Sequence, residues 1–248
     1  MSDQIFSKRL LKYVQSLHSR KYRQKYNKFI AQGPKIVIEI LKTERDIEYL
    51  FCTDTFYKQF NELIDRTNTP FIIVNQKELK SISTHKTPKD VLCVCEMDIY
   101  DLVKMRNNFW SIYLDSVQDP GNVGTIIRTA DWFGIEQVFL GGDTADLYNP
   151  KVIQSSMGGF LRVMTMRTTW QEFSSANQQI VYASSLEGSQ APDTSLSPGV
   201  IVIGNESKGI QNNILDASDI KLKIPSLGQA ESLNAAVACG IILSKVLQ

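Results

Sequence analysis

Apolar runs alternate with polar, helix-like segments along most of this chain, and the alternation is most regular after residue 108. The strand-like runs in that part are SIYLD, QVFL, RVMTM, IVYASS, VIVIGN and IKLKIP, with a helical or loop segment between each and the next. Strands that alternate with helices favour a mostly parallel sheet. We therefore predict an α/β domain over residues 108–248.

The first part of the chain carries a second, smaller pattern of the same class. Its apolar runs of β type are KIVIEIL, IEYLFCT, PFIIVN and VLCVCE, separated by polar helical stretches such as YKQFNELIDRT. A charged helical segment, MDIYDLVKMRNN, then leads to the larger domain. We predict a small α/β domain with its linker over residues 1–107.

Composition places the chain among ordinary globular proteins. Of its 248 residues, 43% are hydrophobic and 21% are charged. No apolar run approaches the roughly 20 residues of a membrane helix, and MSDQIFSKRLLKY lacks the apolar core of a signal peptide. We therefore expect a cytoplasmic protein without membrane contact. The spacing of Cys52, Cys93, Cys95 and Cys239 suggests buried thiols rather than a disulfide scaffold or a metal site.

The net charge of +1 conceals two parts of opposite sign. Up to Asn107 the chain has 19 Lys and Arg against 13 Asp and Glu, and after it 8 against 13. Residues 1–30 hold eight basic residues against one acid, with aromatic rings interleaved. Such a surface can contact RNA phosphates and stack on bases; the alternative is a solvated amphipathic helix with aromatic anchors. The predicted RNA-binding residues are Arg20, Lys21, Arg23 and Lys25.

The stretch DPGNVGTIIRTADWFG, residues 119–134, follows the strand SIYLD and leads into a helix. It therefore lies at the carboxyl end of a strand, where open α/β sheets place their ligands. Asn122 can cap the helix. Arg128 lies off the apolar face, and its guanidinium can reach the loop because helical side chains lean toward the N-terminus. Arg128 could equally be a solvated surface charge.

Two later loops bring polar residues to the same edge of the predicted sheet. GNESKG places Asn205 and Glu206 directly after an apolar strand, and an acid there needs a ligand or a partner such as Arg128. IPSLGQAESLN leads into a helix for which we predict Ser232 as N-cap and Asn234 in the first turn. That helix is apolar nearly all round, which suggests packing on another subunit.

Other site types are not supported by the motifs. No GxGxxG follows a strand and no GxSxG is present. The two histidines, His18 and His85, lie in the basic part of the chain. Nicotinamide chemistry and Ser-His hydrolysis are therefore disfavoured.

Three segments in this order, LDSVQDPGNVGTIIRTADWFGIEQVFLGG, IVIGNESKGI and IPSLGQAESLNAAVA, closely resemble the motifs of the SpoU (TrmH-type) RNA ribose 2′-O-methyltransferases of the SPOUT superfamily. SLHSRKYRQKYNKFIAQGPKIVIEIL resembles more loosely the substrate-binding domain that many of these enzymes carry. The resemblance implies a C-terminal trefoil knot, S-adenosylmethionine bound in a bent conformation, and a homodimer with the active site at its interface. Threaded chains are otherwise rare enough to be excluded by default.

The resemblance also implies roles for individual residues. Its polar catalytic positions correspond to Asn122, Arg128, Glu206, Ser232 and Asn234, and its cofactor-binding positions to Gly204, Asn205, Ile224 and Leu233. Arg128 would clamp phosphate and hydroxyl rather than act as a base, because a guanidinium stays protonated. Ala236 and Gln154 depart from residues frequent in the family, a small hydroxyl residue and an Arg.

The expected activity is S-adenosylmethionine-dependent methylation of a ribose 2′-hydroxyl, with ribosomal RNA favoured over transfer RNA because of the additional domain. Two alternatives remain open. One is a non-catalytic RNA-binding protein of the same fold, and the other is a base methyltransferase of the wider superfamily.

Overall fold

Two β-sheets organise the residues that the computed structural model describes, namely 6–67, 69–98, 102, 105–189 and 191–247. The chain divides into two units, Met1–Asp98 with Tyr148–Gly158, and Ile99–Leu147 with Gly159–Gln248. Each unit contains one of the sheets. The predicted α/β class is confirmed in both, whereas the predicted boundary at residues 107 and 108 stays a prediction.

The first unit holds a four-stranded sheet in the order β1-β4-β2-β3. Its strands β1 to β4 are Lys28–Gln32, Ile47–Cys52, Phe71–Ile73 and Val91–Glu96. β4 is antiparallel to both β1 and β2, while β2 and β3 are parallel. Its helices α1 to α5 are Lys8–Ser16, Arg20–Tyr26, Pro34–Leu41, Asp54–Arg66 and Gln76–Ile82. Side chains from the helices and the sheet form one core, in which Val14, Leu17, Phe51, Leu79 and Leu92 are fully buried.

The predicted strand KIVIEIL is wrong, because these residues form helix α3. Pro34 stands at the first position of the helix, where its fixed φ favours helix and its missing N–H costs nothing. The apolar residues Ile36, Val37, Ile40 and Leu41 lie on one buried face. The β propensity of Ile and Val is overridden here by burial of that face. The other three predicted strands of this unit are confirmed as β2, β3 and β4, and YKQFNELIDRT lies in α4.

The second unit holds a six-stranded sheet in the order β10-β8-β9-β5-β6-β7, with every neighbouring pair parallel. Its strands β5 to β10 are Ser111–Asp115, Gln137–Gly141, Met164–Arg167, Ile180–Ser184, Gly199–Ile203 and Ile220–Leu222. All six predicted strands are therefore confirmed. Helices α6 to α10 of the chain are Pro120–Trp132, Pro150–Ser156, Trp170–Ala176, Asn212–Asp216 and Ala235–Val246, and a short 3₁₀ helix covers Gly159–Leu161.

Helix α7 belongs to the first unit although it lies between strands of the second in sequence. It packs on β1, and the ring of Tyr148, just before it, lies 4.6 Å from that of Phe29. The Tyr148 hydroxyl accepts a hydrogen bond from the backbone N–H of Asp98 at 2.7 Å. Of the predicted helix MDIYDLVKMRNN, residues 99–101, 103 and 104 lie outside the described ranges. The described residues at its two ends, 97–98 and 105–108, are not helical, so the prediction is wrong there.

The sheet of the second unit positions the three motif loops. β5 and β9 are neighbours in its centre and are buried along their whole length, which explains their nearly continuous apolar sequences. Parallel strands end at the same edge, so the segments after β5, β9 and β10 all begin there. None of the described helices is long and apolar enough to cross a membrane.

Candidate functional site

The first loop joins β5 to α6 and is held by Asp119. The Asp119 side chain accepts a hydrogen bond from the backbone N–H of Asn122 at 2.9 Å and thereby caps α6, with Pro120 at its first position. Asn122 was predicted as the cap, and this prediction is wrong. Because Asp119 satisfies the helix end, the Asn122 amide is free to make contacts outside its own helix.

A chain of side-chain hydrogen bonds links the three motif loops through Asn122. The Asn234 amide donates through Nδ2 to Oδ1 of Asn122 at 2.9 Å. The Asn122 Nδ2 in turn donates to Oε1 of Glu206 at 2.5 Å. We call Asn234, Asn122 and Glu206 the polar chain. Its members stand 112 and 84 positions apart in sequence, yet the fold brings them into direct contact.

The polar chain fixes the orientation of the Asn122 amide. Its oxygen accepts from one partner and its nitrogen donates to the other, so exchange of the two atoms would break both hydrogen bonds. One N–H of Asn122 and the second carboxylate oxygen of Glu206 make no hydrogen bond within the polar chain. Both residues are partly exposed. The site can therefore offer a donor and a charged acceptor side by side to a bound molecule.

The second loop is shaped by Asn205. Its backbone pairs with that of Gly209 at 3.0 and 2.9 Å, and its Oδ1 accepts from the backbone N–H groups of Ser207 and Lys208. Its Nδ2 donates to the carbonyl of Ser116 at 2.8 Å. The Asn205 side chain thus holds the loop against the end of β5. Because the side chain makes these contacts, the predicted cofactor-binding role of Asn205 concerns its backbone, and it stays a prediction.

Gly204 lies where the second loop closes on itself. A Cβ at this position would lie 2.5 Å from both the carbonyl carbon of Gly209 and the nitrogen of Ile210. Any larger residue would displace backbone, so the turn that carries Glu206 requires a glycine.

Asp115 at the end of β5 is a site residue that sequence reasoning missed. It is fully buried, and its carboxylate accepts from the backbone N–H and the Nε2 of Gln211 at 2.7 and 2.6 Å. Burial, with Asp115 beside it, raises the pKa of the neighbouring Tyr113 phenol. Asp115 and Ser116 therefore anchor the second loop on both sides of Glu206. The sequence did contain a signal for Asp115, since it is an acidic residue at the end of the apolar run SIYLD.

The third loop starts from β10 at one end of the sheet and ends beside α6. Asn234, and not Ser232 as predicted, caps α10, since its Oδ1 accepts from the N–H groups of Ala236 and Val237 at 3.0 and 3.3 Å. Ser232 and Leu233 are exposed, and Ile224 is partly buried. Asn234 therefore both ends the loop and joins the polar chain. Ala236, at the position that departs from the family, is buried in α10.

Arg128 lies on the exposed side of α6, outside the polar chain. Glu206, for which it was a suggested partner, is bonded to Asn122 instead. Among the described residues no hydrogen bond or ion pair holds the Arg128 side chain. Its backbone is closely packed, because a Cβ on Gly159 would lie 3.3 Å from the Arg128 Cα. The guanidinium is thus available to a ligand.

The predicted RNA-binding residues of the first unit divide into two groups. Arg20, Lys21 and Lys25 are exposed on α2. Arg23 is only 2% exposed, and its Nη1 donates to the carbonyls of Leu17 and His18 at 3.1 and 2.9 Å. The assignment of Arg23 to an RNA surface is corrected on this ground, since its guanidinium is used up at the end of α1.

All four cysteines are free and buried, as the sequence suggested. Cys93 and Cys95 share one face of β4, with their sulfurs 3.5 Å apart. Burial raises the pKa of the Cys52 and Cys239 thiols to about 12. Such thiols are protonated and unreactive at neutral pH. Within the described part of the chain, no three His, Cys, Asp or Glu residues are grouped so as to hold a metal.

Two family models match the chain. Residues 110–244 match the SpoU rRNA Methylase family, and residues 8–93 match the MRM3-like substrate binding domain. The chain is 31% identical over 233 residues to the 23S rRNA (guanosine(2553)-2′-O)-methyltransferase RlmP of Bacillus subtilis. This alignment covers 92% of this chain and 91% of that protein.

Solved structures agree with this match. The SpoU methyltransferase AviRb from Streptomyces viridochromogenes in complex with AdoMet has a TM-score of 0.86 at 26% identity, covering 97% of each chain. An AdoMet-bound rRNA methyltransferase from Sinorhizobium meliloti has a TM-score of 0.86 at 28% identity, covering 97% of this chain and 94% of that one. The polar chain joins the three motif loops, and the two family models match sequence in both units. The protein therefore belongs to the SpoU rRNA methylase family.

Proposed function

We propose that this protein transfers the methyl group of S-adenosylmethionine to a ribose 2′-hydroxyl of ribosomal RNA. The observation that carries the proposal is the polar chain, which joins the three motif loops at the carboxyl edge of the parallel sheet. An intact constellation of this kind disfavours a non-catalytic member of the family. The RlmP relative is a 2′-O-methyltransferase, and two structural neighbours hold AdoMet.

Ribosomal RNA is the substrate class that the comparisons favour. RlmP acts on 23S rRNA and matches this chain over 92% of its length, including the first unit. The first unit also matches a substrate-binding domain. Transfer RNA is the alternative that the assay below distinguishes.

The residues of the second and third loops fit the cofactor. Leu227 and Leu233 are large apolar side chains in a loop that contributes little to the core. Leu227 is fully exposed and Leu233 is 44% exposed. They can cover an adenine or the apolar part of a methionine chain. Gly204 allows the close turn of the second loop, because a Cβ there would collide with the backbone of Gly209 and Ile210. When bound, S-adenosylmethionine supplies an electrophilic methyl group whose bond to sulfur breaks as the ribose oxygen attacks.

The polar chain and Arg128 would position the ribose for this displacement. The free N–H of Asn122 and the free oxygen of Glu206 can hold the 2′-hydroxyl in line with the methyl group, and such alignment lowers the barrier substantially. Arg128 would pair with the neighbouring phosphate, since a guanidinium binds phosphate in a bidentate manner. Ser232, exposed in the third loop, would contact cofactor or ribose. The hydroxyl proton would leave late in the reaction, passing to the Glu206 oxygen that accepts its hydrogen bond and from there to water.

A second copy of the chain would complete the site. Trp132 on α6 and Val237 on α10 are 85% and 50% exposed, and these two helices pack on each other. Large exposed apolar side chains on packed helices are typical of a subunit interface. Arg128 stands one helical turn before Trp132, so a partner there would border the site. We extend the proposal to a homodimer, a C-terminal trefoil knot and a cytoplasmic location.

The proposal is tested by transfer of labelled methyl from S-adenosylmethionine to unmodified ribosomal and transfer RNA. The expected product is label in ribosomal RNA that survives alkali within one dinucleotide, because a methylated 2′-oxygen cannot attack the adjacent phosphate. Label recovered in mononucleotides after alkaline cleavage would indicate a base methyltransferase. Cofactor binding without transfer to either RNA would contradict the proposed activity.

A further inference from the structure

Helix α2 exposes nearly all of its side chains. Of its seven residues only Arg23 is buried, whereas Arg20, Lys21, Tyr22, Gln24, Lys25 and Tyr26 are exposed. A surface helix of a globular protein normally buries an apolar stripe. Here the buried residue is a cation, while Tyr22 and Tyr26 each keep more than a third of their surface exposed, so packing of the core alone does not explain this sequence.

Two sets of contacts hold α2 in place without an apolar stripe, one polar and one between aromatic rings. Arg23 donates to the carbonyls of Leu17 and His18, which end α1. The Tyr13 and Tyr26 rings are nearly perpendicular, with an angle of 76° and centroids 5.2 Å apart, and the Tyr13 hydroxyl donates to Glu48 at 2.7 Å. The position of α2 is therefore defined by contacts on its inner side, which leaves its outer side free.

The outer side of α2 presents two parallel rings beside two cations. Tyr22 and Tyr26 are 37% and 39% exposed, with ring planes 17° apart and centroids 6.2 Å apart. The Lys25 ammonium lies 5.4 Å from the centre of the Tyr26 ring, and Lys21 precedes Tyr22. We call these four residues the tyrosine face. The whole helix contains no acidic residue.

We propose that the tyrosine face binds unpaired nucleotides of the RNA substrate, with bases stacked on Tyr22 and Tyr26 and phosphates held by Lys21 and Lys25. An aromatic ring beside a cation is complementary to a nucleotide whose base is unstacked. A duplex hides the faces of its bases and offers only its phosphates and grooves to these rings. The inference rests on the proposed function, and it assigns to the first unit a preference for single-stranded segments near the methylation target.

The test compares single-stranded and double-stranded RNA on the full-length protein. The probes are a fluorescein-labelled RNA decamer of mixed sequence and the duplex formed with its complement, with affinity measured by fluorescence anisotropy over a salt series. The variants are Tyr22→Ala/Tyr26→Ala, Tyr22→Phe/Tyr26→Phe and Lys21→Ala/Lys25→Ala. Tyr57→Ala is the matched control, since Tyr57 stacks on Phe71 in a different part of the same unit.

The alanine pair is expected to raise the Kd for the single strand by about 10- to 100-fold and that for the duplex by less than about threefold, with an unchanged salt slope, because stacking carries no charge. The phenylalanine pair keeps the rings and should bind as the parent does, and the retained duplex affinity of the alanine pair shows that the alanine variant is folded. The lysine variant should reduce the salt slope on the single strand by about 1.4.

Two results would overturn the inference. Equal loss on single strand and duplex would mean that the face contacts only the backbone, and no loss on either would mean that it serves another partner. Methyl transfer to RNA by the parent protein separates these results from failure of the proposed function. If the parent methylates RNA while the tyrosine variants retain both affinity and KM, only the tyrosine face is refuted. If the parent neither binds nor methylates RNA, the proposed function fails, and this inference with it.

Discussion

The polar chain predicts that Asn122 and Glu206 act on the reaction as one unit. Asn122→Ala removes the donor to Glu206 at 2.5 Å and the acceptor for Asn234 at 2.9 Å. A hydrogen bond to a charged group contributes about 1.5–3 kcal/mol and a neutral one about 0.5–1.5 kcal/mol. Because both residues are partly exposed, the lower ends apply, and the unfolding free energy should fall by about 2 kcal/mol. The Tm of the second unit should then fall by about 4–8 °C.

The loss of activity should be much larger than this loss of stability. Without Asn122, Glu206 loses its orientation and the ribose loses a donor, so we expect kcat to fall about 100-fold or more in Asn122→Ala. Glu206→Ala should give a similar loss. Because the two residues work through one hydrogen bond, the double variant should be no more than about threefold slower than the slower single variant.

The assay is single-turnover transfer of labelled methyl to an RNA fragment, with a thermal melt of each variant. Thr125→Ala is the matched control, since Thr125 is exposed on the same helix and its hydroxyl donates only to the Gly121 carbonyl at 2.8 Å. It should leave kcat within about twofold of the parent. If the loss in the double variant equals the product of the two single losses, Asn122 and Glu206 act independently and the reasoning is refuted.

Four further predictions concern single positions. Arg128→Ala should lower kcat far more than cofactor affinity measured by calorimetry; equal losses would remove its assigned role toward RNA. Trp132→Glu should convert a dimer to monomer in light scattering and abolish methyl transfer, and an active monomer would contradict a shared site. Asp115→Ala should lower both Tm and kcat, since it removes a buried anchor of the second loop; an unchanged kcat would show that Glu206 needs no such anchor. Cys52 and Cys239, with pKa values raised to about 12 by burial, should resist iodoacetamide at pH 8 until the protein is unfolded, as mass spectrometry would show.

The sheet of the second unit could be predicted from the sequence because its strands β5, β6 and β9 are buried on both faces and the other three are partly buried. Such strands give short, nearly continuous apolar runs, and each of the six runs corresponds to a strand. The first unit was less readable. KIVIEIL is rich in β-branched residues and reads as a strand, although Pro34 at its start and its buried face make it a helix. The five-residue strand β1 was not predicted; it begins within the basic segment 1–30, for which an RNA-contact surface and an amphipathic helix were the two interpretations.

The polar residues of the site could be named in advance, but their partners could not. Asn122, Glu206 and Asn234 stood out because each occupies a loop at the end of a strand. The identity of a helix cap depends on local backbone geometry, which a single sequence does not determine. Asp119 caps α6 in place of the predicted Asn122, and Asn234 caps α10 in place of the predicted Ser232. The bonds between Asp115 and Gln211 join positions 96 apart, and neither forms part of a local pattern.

The hydrogen bond between Asn122 and Asn234 also determines when in the life of a molecule the site comes into existence. A growing chain emerges from the ribosome at roughly 5–20 residues per second, with its N-terminal parts folding first. Asn122 and Glu206 are both synthesised before Asn234, which follows Asn122 by 112 positions and completes the polar chain only after it has itself left the exit tunnel. Residues 6–98 of the first unit are made much earlier, and α7, which completes that unit by packing on β1, also precedes Asn234, so the first unit can fold while the three motif loops are still apart. The polar chain therefore forms only after all three motif loops have been made, and a nascent chain that stops short of Asn234 lacks it.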